Sequence, residues 1–107
     1  MEKETVAFSQ NGERLVARIF GEVDHHTARH IRERIDREAF LARARVLVID
    51  LSGVGFMDSS GIALILGRVE VARELGGVVH IIGAPPQVRK LIHLSGIERV
   101  AGLTVAP

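Results

Sequence analysis

The succession of apolar periods along the chain predicts an α/β fold: one domain whose mixed β-sheet opens with an N-terminal hairpin and is covered by helices. Three observations carry that expectation. Asn11-Gly12 lies between two alternating apolar–polar runs, the strongest short-range hairpin signal. Val46-Leu47-Val48-Ile49 is a continuous, mostly β-branched run of the kind found in buried parallel strands. Segments with a three-to-four-residue apolar period separate the later strands, so those strands pair in parallel through right-handed crossovers.

Taken in order, Val6 and Phe8 precede the turn, and Leu15, Ala17 and Ile19 share one face after it. This predicts an antiparallel pair near 4–10 and 13–20. Gly21-Glu22-Val23 leads to Asp24, an acceptable N-cap, and Ala28, Ile31, Ile35 and Ala39 form one apolar stripe on a charged helix. The Val46–Ile49 strand follows and is expected to be covered on both faces. Asp50–Met57 then connects it to Asp58, a second N-cap position. The helix beyond, from about Ser59 to Leu75, is apolar nearly all round its first turns, and Gly76-Gly77 closes it. Val78–Ile82 is the next strand. Pro85-Pro86 starts a short helix carrying Val88, Leu91 and Ile92, which ends at Ser95-Gly96, and Leu103-Thr104-Val105 is the last strand.

Composition narrows the function classes. At 107 residues and 47% hydrophobic with a net charge of +1, the chain is one globular domain rather than a disordered segment. Cysteine is absent, which excludes disulfides and cysteine-ligated metals. The longest apolar stretches fall far short of the ~20 residues that span a bilayer, and the opening Met-Glu-Lys-Glu-Thr has no signal-peptide core. A cytoplasmic protein without a membrane partner is therefore expected. Fourteen basic and thirteen acidic residues are interleaved, most visibly from Arg29 to Glu38, so no basic stripe suggests nucleic acid. Trp and Tyr are absent, and the four Phe (8, 20, 40 and 56), in or beside apolar runs, are read as core residues.

Two clusters could carry chemistry. In Asp24-His25-His26-Thr27-Ala28-Arg29-His30, His26 and His30 have i,i+4 spacing, but Thr27 stands where a zincin needs Glu and no third ligand is evident. These histidines are read as solvated or capping, with no metal and no cofactor. Asp24 is either a simple cap or a carboxylate presented to a partner. In Phe56-Met57-Asp58-Ser59-Ser60-Gly61, Met57 breaks the Gly-x-Ser-x-Gly nucleophile elbow, and His80 and His93 give no arguable base. Asp58 would instead place Ser59 and Ser60 in a first helical turn, where N–H groups lack intrahelical partners. That arrangement reads either as a well-capped start to a buried helix or as a site where added negative charge is tolerated.

Phe56-Met57-Asp58-Ser59-Ser60-Gly61-Ile62, followed by Ile65-Leu66-Gly67-Arg68, closely resembles the signature of anti-sigma factor antagonists, the small stand-alone STAS domains. The match extends upstream through Gly21-Glu22-Val23-Asp24-His25-His26-Thr27-Ala28 and downstream through Gly76-Gly77 to Ser95-Gly96-Ile97. Asp-His-His-Thr-Ala together with Asp-Ser-Ser-Gly is most similar to the sporulation members, which act on the sigma F system. General-stress members commonly have Asp-Ser-Thr-Gly and lack the paired histidines. A general-stress or other stand-alone STAS regulator is the neighbouring alternative, and a small hydrolase or nucleotide-binding enzyme the alternative from another class.

The resemblance implies a STAS fold and a partner-switching cycle without catalysis by this chain. The unmodified antagonist would bind an anti-sigma factor that is also a serine kinase, and so free the sigma factor. The kinase would phosphorylate Ser59 and release the antagonist, and a PP2C-type phosphatase would restore it. Asp24, Asp58, Ser60, Gly61, Ile62, Arg68 and Leu91 would form the docking surface around Ser59. The free protein is expected to be a monomer. Family members usually carry a further helix after the last strand, beyond the Ala106-Pro107 that ends this sequence.

Overall fold

A computed structural model describes residues 5–107. The hairpin is formed by β1 (Val6–Asn11) and β2 (Arg14–Val23), paired antiparallel from Val6↔Ile19 to Asn11↔Arg14. The expectation that the first strand begins at Glu4 lies outside the described residues. The turn sits one residue later than the Asn-Gly signal suggests. Gly12 and Glu13 are its central pair, and only Gly12 has positive φ (60°). A positive φ at the first central residue alone is the type II′ pattern, in which glycine takes the first place.

The remaining elements are α1 (Ala28–Ala42), β3 (Val46–Met57), α2 (Ser59–Glu74), β4 (Val78–Ile82), α3 (Pro86–Ser95), a 3-10 turn at Ile97–Arg99 and β5 (Leu103–Val105). The strands lie in sequence order β1-β2-β3-β4-β5, parallel from β2 onwards. Crossovers of one hand that step in one direction leave their helices on one side of the sheet. The core agrees. Leu15, Ala17, Ile19, Leu47, Ile49, Leu51, Val79, Ile81 and Leu103 form a single cluster with buried residues of α1, α2 and α3.

Three expectations need correction. β3 continues through Met57 instead of ending near Ile49, and β2 reaches Val23. Their outer halves pair with two register shifts, between Arg18 and Phe20 and between Gly21 and Glu22. The polar and glycine residues of 50–57 read as a loop because bulged pairing suppresses the alternation that marks a strand. Second, the central strand is not covered by helices on both faces. Val48 is fully buried but stands outside the core cluster, in a row with Val16 and the half-buried His80, and that row ends at exposed Thr104. Third, none of the four phenylalanines is buried. Phe8 and Phe20 are half-buried, with Arg34 and Arg18 over their rings, and Phe40 and Phe56 are exposed.

Candidate functional site

Parallel pairing brings two acidic caps together. Val23↔Met57 is the last pair of β2 and β3, and the Asp58 N–H donates to the Val23 carbonyl at 3.2 Å. Asp24 and Asp58 therefore leave neighbouring strand ends, each at the start of a helical segment. The carboxyl end of a parallel sheet is the general location of binding sites in α/β folds.

Asp58 caps α2 as the sequence suggests: its Oδ1 accepts from the Ser60 N–H at 2.8 Å. Ser59 is then the first helical residue. It is exposed, while Asp58 and Ser60 are half-buried. Regular α1 begins only at Ala28, four residues after its expected cap, with a turn between. Asp24 still performs the capping. Its carbonyl accepts from the Ala28 N–H at 2.9 Å, and its Oδ1 accepts from the N–H groups of His26 (2.9 Å) and Thr27 (3.1 Å). The Thr27 hydroxyl in return accepts from the Asp24 N–H at 3.1 Å, a reciprocal capping box with threonine in the usual place of glutamate. Desolvation pushes the Asp24 carboxyl up, but the bonds from His26 and Thr27 and the His26 charge outweigh it and hold Asp24 below its ordinary value.

The expected docking residues divide. Ser59, Ser60, Asp24 and Asp58 converge on this end of the sheet, and half-buried Ile62 follows on α2, packed against the core. Gly61 does not reach the surface. It is buried against the Met57 side chain, and a Cβ there would lie 2.6 Å from Met57 Sδ. Arg68 is also misplaced by sequence reasoning. It is 5% exposed, and its Nε lies 2.8 Å from Asp36 Oδ1, joining α2 to α1. Periodicity could not show this, because Arg68 gains its partner only when the helices pack. Leu91 is half-buried on α3 and packs on the core. That helix is tied to the outer part of β3 by Gln87 Nε2, which donates to the Gly55 carbonyl at 2.8 Å.

Two features beside Ser59 escaped sequence reasoning. Phe56 is 48% exposed, next to a cavity of about 330 Å³ that Gly55, Met57, Gln87 and Val88 also line. On the other side, His25, Arg29 and Arg32 face Ser60, Ala63 and Leu64 across a groove of about 310 Å³ between α1 and α2. Spacings of four and three among His25, Arg29 and Arg32 were the available signal, obscured by the mixed charges around them. His80 pairs with Thr104, and His93 with Glu98 at 3.0 Å. No helix among the described residues is long and apolar enough to cross a membrane.

Comparison with known proteins gives consistent matches. A STAS domain sequence model matches residues 5–106. An anti-sigma F factor antagonist of Lysinibacillus sphaericus is 36% identical over 85 residues, covering 79% of this chain and 73% of the relative. The anti-sigma factor antagonist SpoIIAA in its unphosphorylated form superposes with a TM-score of 0.78 at 30% identity, covering 95% of this chain and 88% of that one. The phosphorylated form of the Bacillus cell-fate determinant SpoIIAA gives a TM-score of 0.70 at 29% identity, with 95% and 91% covered.

Proposed function

The chain belongs to the STAS domain family, and we propose that within it the protein is an anti-sigma factor antagonist switched by phosphorylation of Ser59. The unmodified form binds an anti-sigma factor that is also a serine kinase and so releases the sigma factor. The kinase transfers the γ-phosphoryl group of its own ATP to Ser59 Oγ: an O–P bond forms, ADP leaves, and the hydroxyl proton passes to the kinase. A PP2C-type phosphatase hydrolyses the phosphoserine and restores the binding form. The sporulation system is the preferred assignment, supported by the two closely similar antagonists above.

The observation that carries this reading is the placement of Ser59: an exposed residue in the first turn of α2, directly after the capping carboxylate of Asp58 and at the same end of the sheet as Asp24. A phosphate there adds ~−1.5 to −2 charge at the positive end of the helix dipole. The dipole favours an anion by ~0.3–1 kcal/mol, and the neighbouring carboxylates oppose it, so the net effect on folding is small. A partner surface matched to a neutral hydroxyl meets a mismatched charge instead, which costs several kcal/mol, and each ~1.4 kcal/mol is tenfold in affinity. Asp24, Asp58, Ser60 and Ile62, with Phe56 and Leu91 on the α3 side, form the surface that the kinase reads.

Intact-mass measurement after incubation with the candidate kinase and ATP, with mapping of the modified residue, tests the assignment. One phosphate on Ser59, absent from Ser59→Ala, is expected. Normal labelling of Ser59→Ala would move the site to Ser60.

A further inference from the structure

The opposite end of α2 from Ser59 carries an apolar groove that shares no residue with the proposed switch surface. It lies where α1 and α2 end, about 24 Å along α2 from Ser59 at ~1.5 Å per residue. Phe40, Leu41, Ala44 and Leu75 supply most of the apolar lining of a space of about 500 Å³, and Arg43 and Arg45 supply its charge. Phe40 is 72% exposed and Leu41 64%, and they share the groove with the exposed Leu75. Single exposed apolar residues are ordinary, but three large ones around one depression mark a contact surface.

Arg43 adds a second observation. α1 and α2 end in the same Schellman motif. In α2 the N–H groups of Gly76 and Gly77 donate to the carbonyls of Arg73 and Ala72; in α1 those of Arg43 and Ala44 donate to Phe40 and Ala39. The left-handed residue is Gly76 (φ 75°) in one helix and Arg43 (φ 50°) in the other. Among the described residues every other positive φ belongs to glycine. Arginine thus occupies the left-handed position that lines the groove, at a conformational cost glycine would avoid.

The charge of the lining identifies the occupant. It holds two guanidinium groups and no carboxylate. Arg45 lies 3.7 Å from Glu13, both of them well exposed, and Arg43 has no ion pair among the described residues. A second copy docking this patch on its own equivalent would gather four guanidinium groups into one interface with no carboxylate from either lining, an unfavourable like-charge environment. We propose that this groove docks an acidic amphipathic segment of another protein, with apolar side chains entering between Phe40, Leu41 and Leu75 and flanking carboxylates meeting Arg43 and Arg45. The Ser59 surface stays free, so the domain can remain tethered while its switch cycles.

The probe is a labelled synthetic peptide of about 14 residues, roughly four helical turns, with Leu at i, i+3, i+4 and i+7 and Glu elsewhere. Its isomer carries Lys for every Glu. The acidic peptide is expected to bind at least tenfold more tightly and to shift the amide resonances of residues 39–45 and Leu75. Arg43→Gly is expected to weaken that binding while keeping or raising the melting temperature, which separates lost docking from lost folding. Phosphorylation of Ser59 should leave the affinity unchanged, so this outcome is independent of the proposed switch. Absence of binding, equal binding of both isomers, shifts confined to the Ser59 end, or a concentration-dependent dimer abolished by Leu41→Ser would each overturn the proposal.

Discussion

At the scale of single residues, Ser59 and Asp24 stand in different environments, and the proposed switch makes different demands on each. Ser59 spends its side chain on nothing that the fold needs, so Ser59→Ala should leave thermal stability within ~0.5 kcal/mol of the parent, the usual range for exposed substitutions. Binding of the kinase should persist. Ser59→Asp brings a negative charge to the same place and should weaken binding by at least tenfold in calorimetry, about 1.4 kcal/mol. Asp24 is different because its carboxylate closes a turn. Its folded value lies below the ordinary 3.8, so its contribution is fully present above that value and is lost as pH falls through the depressed one. Asp24→Asn keeps a capping oxygen and removes the charge. Its stability deficit should therefore be greatest near neutrality and vanish in acid, as measured by urea unfolding at stepped pH.

At the scale of elements, the helix ends decide more than the helix interiors. Asp58 is the side chain that caps α2, so Asp58→Ala should cost about 1 kcal/mol and fray the turn that presents Ser59. Gly61→Ala should be more damaging than helix propensity suggests, because its Cβ enters the space of Met57 and shifts that turn. A combined loss of stability and of phosphorylation rate is expected, relieved in part by Met57→Ala. At the far end of α1, Arg43→Gly should stabilise the domain by about 1 kcal/mol, by removing a left-handed non-glycine residue from a motif that is otherwise complete. Chemical denaturation reads that sign directly.

At the scale of the whole molecule, the sheet fixes the site and one ion pair fixes the helices over it. α1 and α2 cover the same face, and Arg68 crosses between them to Asp36. Burial pushes the Asp36 carboxyl up and makes the Arg68 guanidinium easier to deprotonate, and the opposite charge of each partner offsets only part of that penalty. Asp36→Ala would leave Arg68 buried without its counterion and should cost about 2–3 kcal/mol, less than the ~3–5 of a fully buried pair because Asp36 is itself 37% exposed. Because the pair lies away from Ser59, the folded fraction of that variant should still be phosphorylated. Calorimetric melting and intact mass on one sample separate the two effects.

The sequence by itself determined the element order, the caps at Asp24 and Asp58, and the serine that follows Asp58, because these depend on periods and contacts a few residues apart. Tertiary structure decided which of those residues meet. Strand pairing brought the two carboxylates to one end of the sheet, with bulges extending β3 past its recognisable apolar run. Helix packing took Arg68 inward and left Phe40 and Phe56 in solvent. Side-chain chemistry is local and is written in the chain. Burial depends on what an element packs against, and that is settled only when distant segments come together.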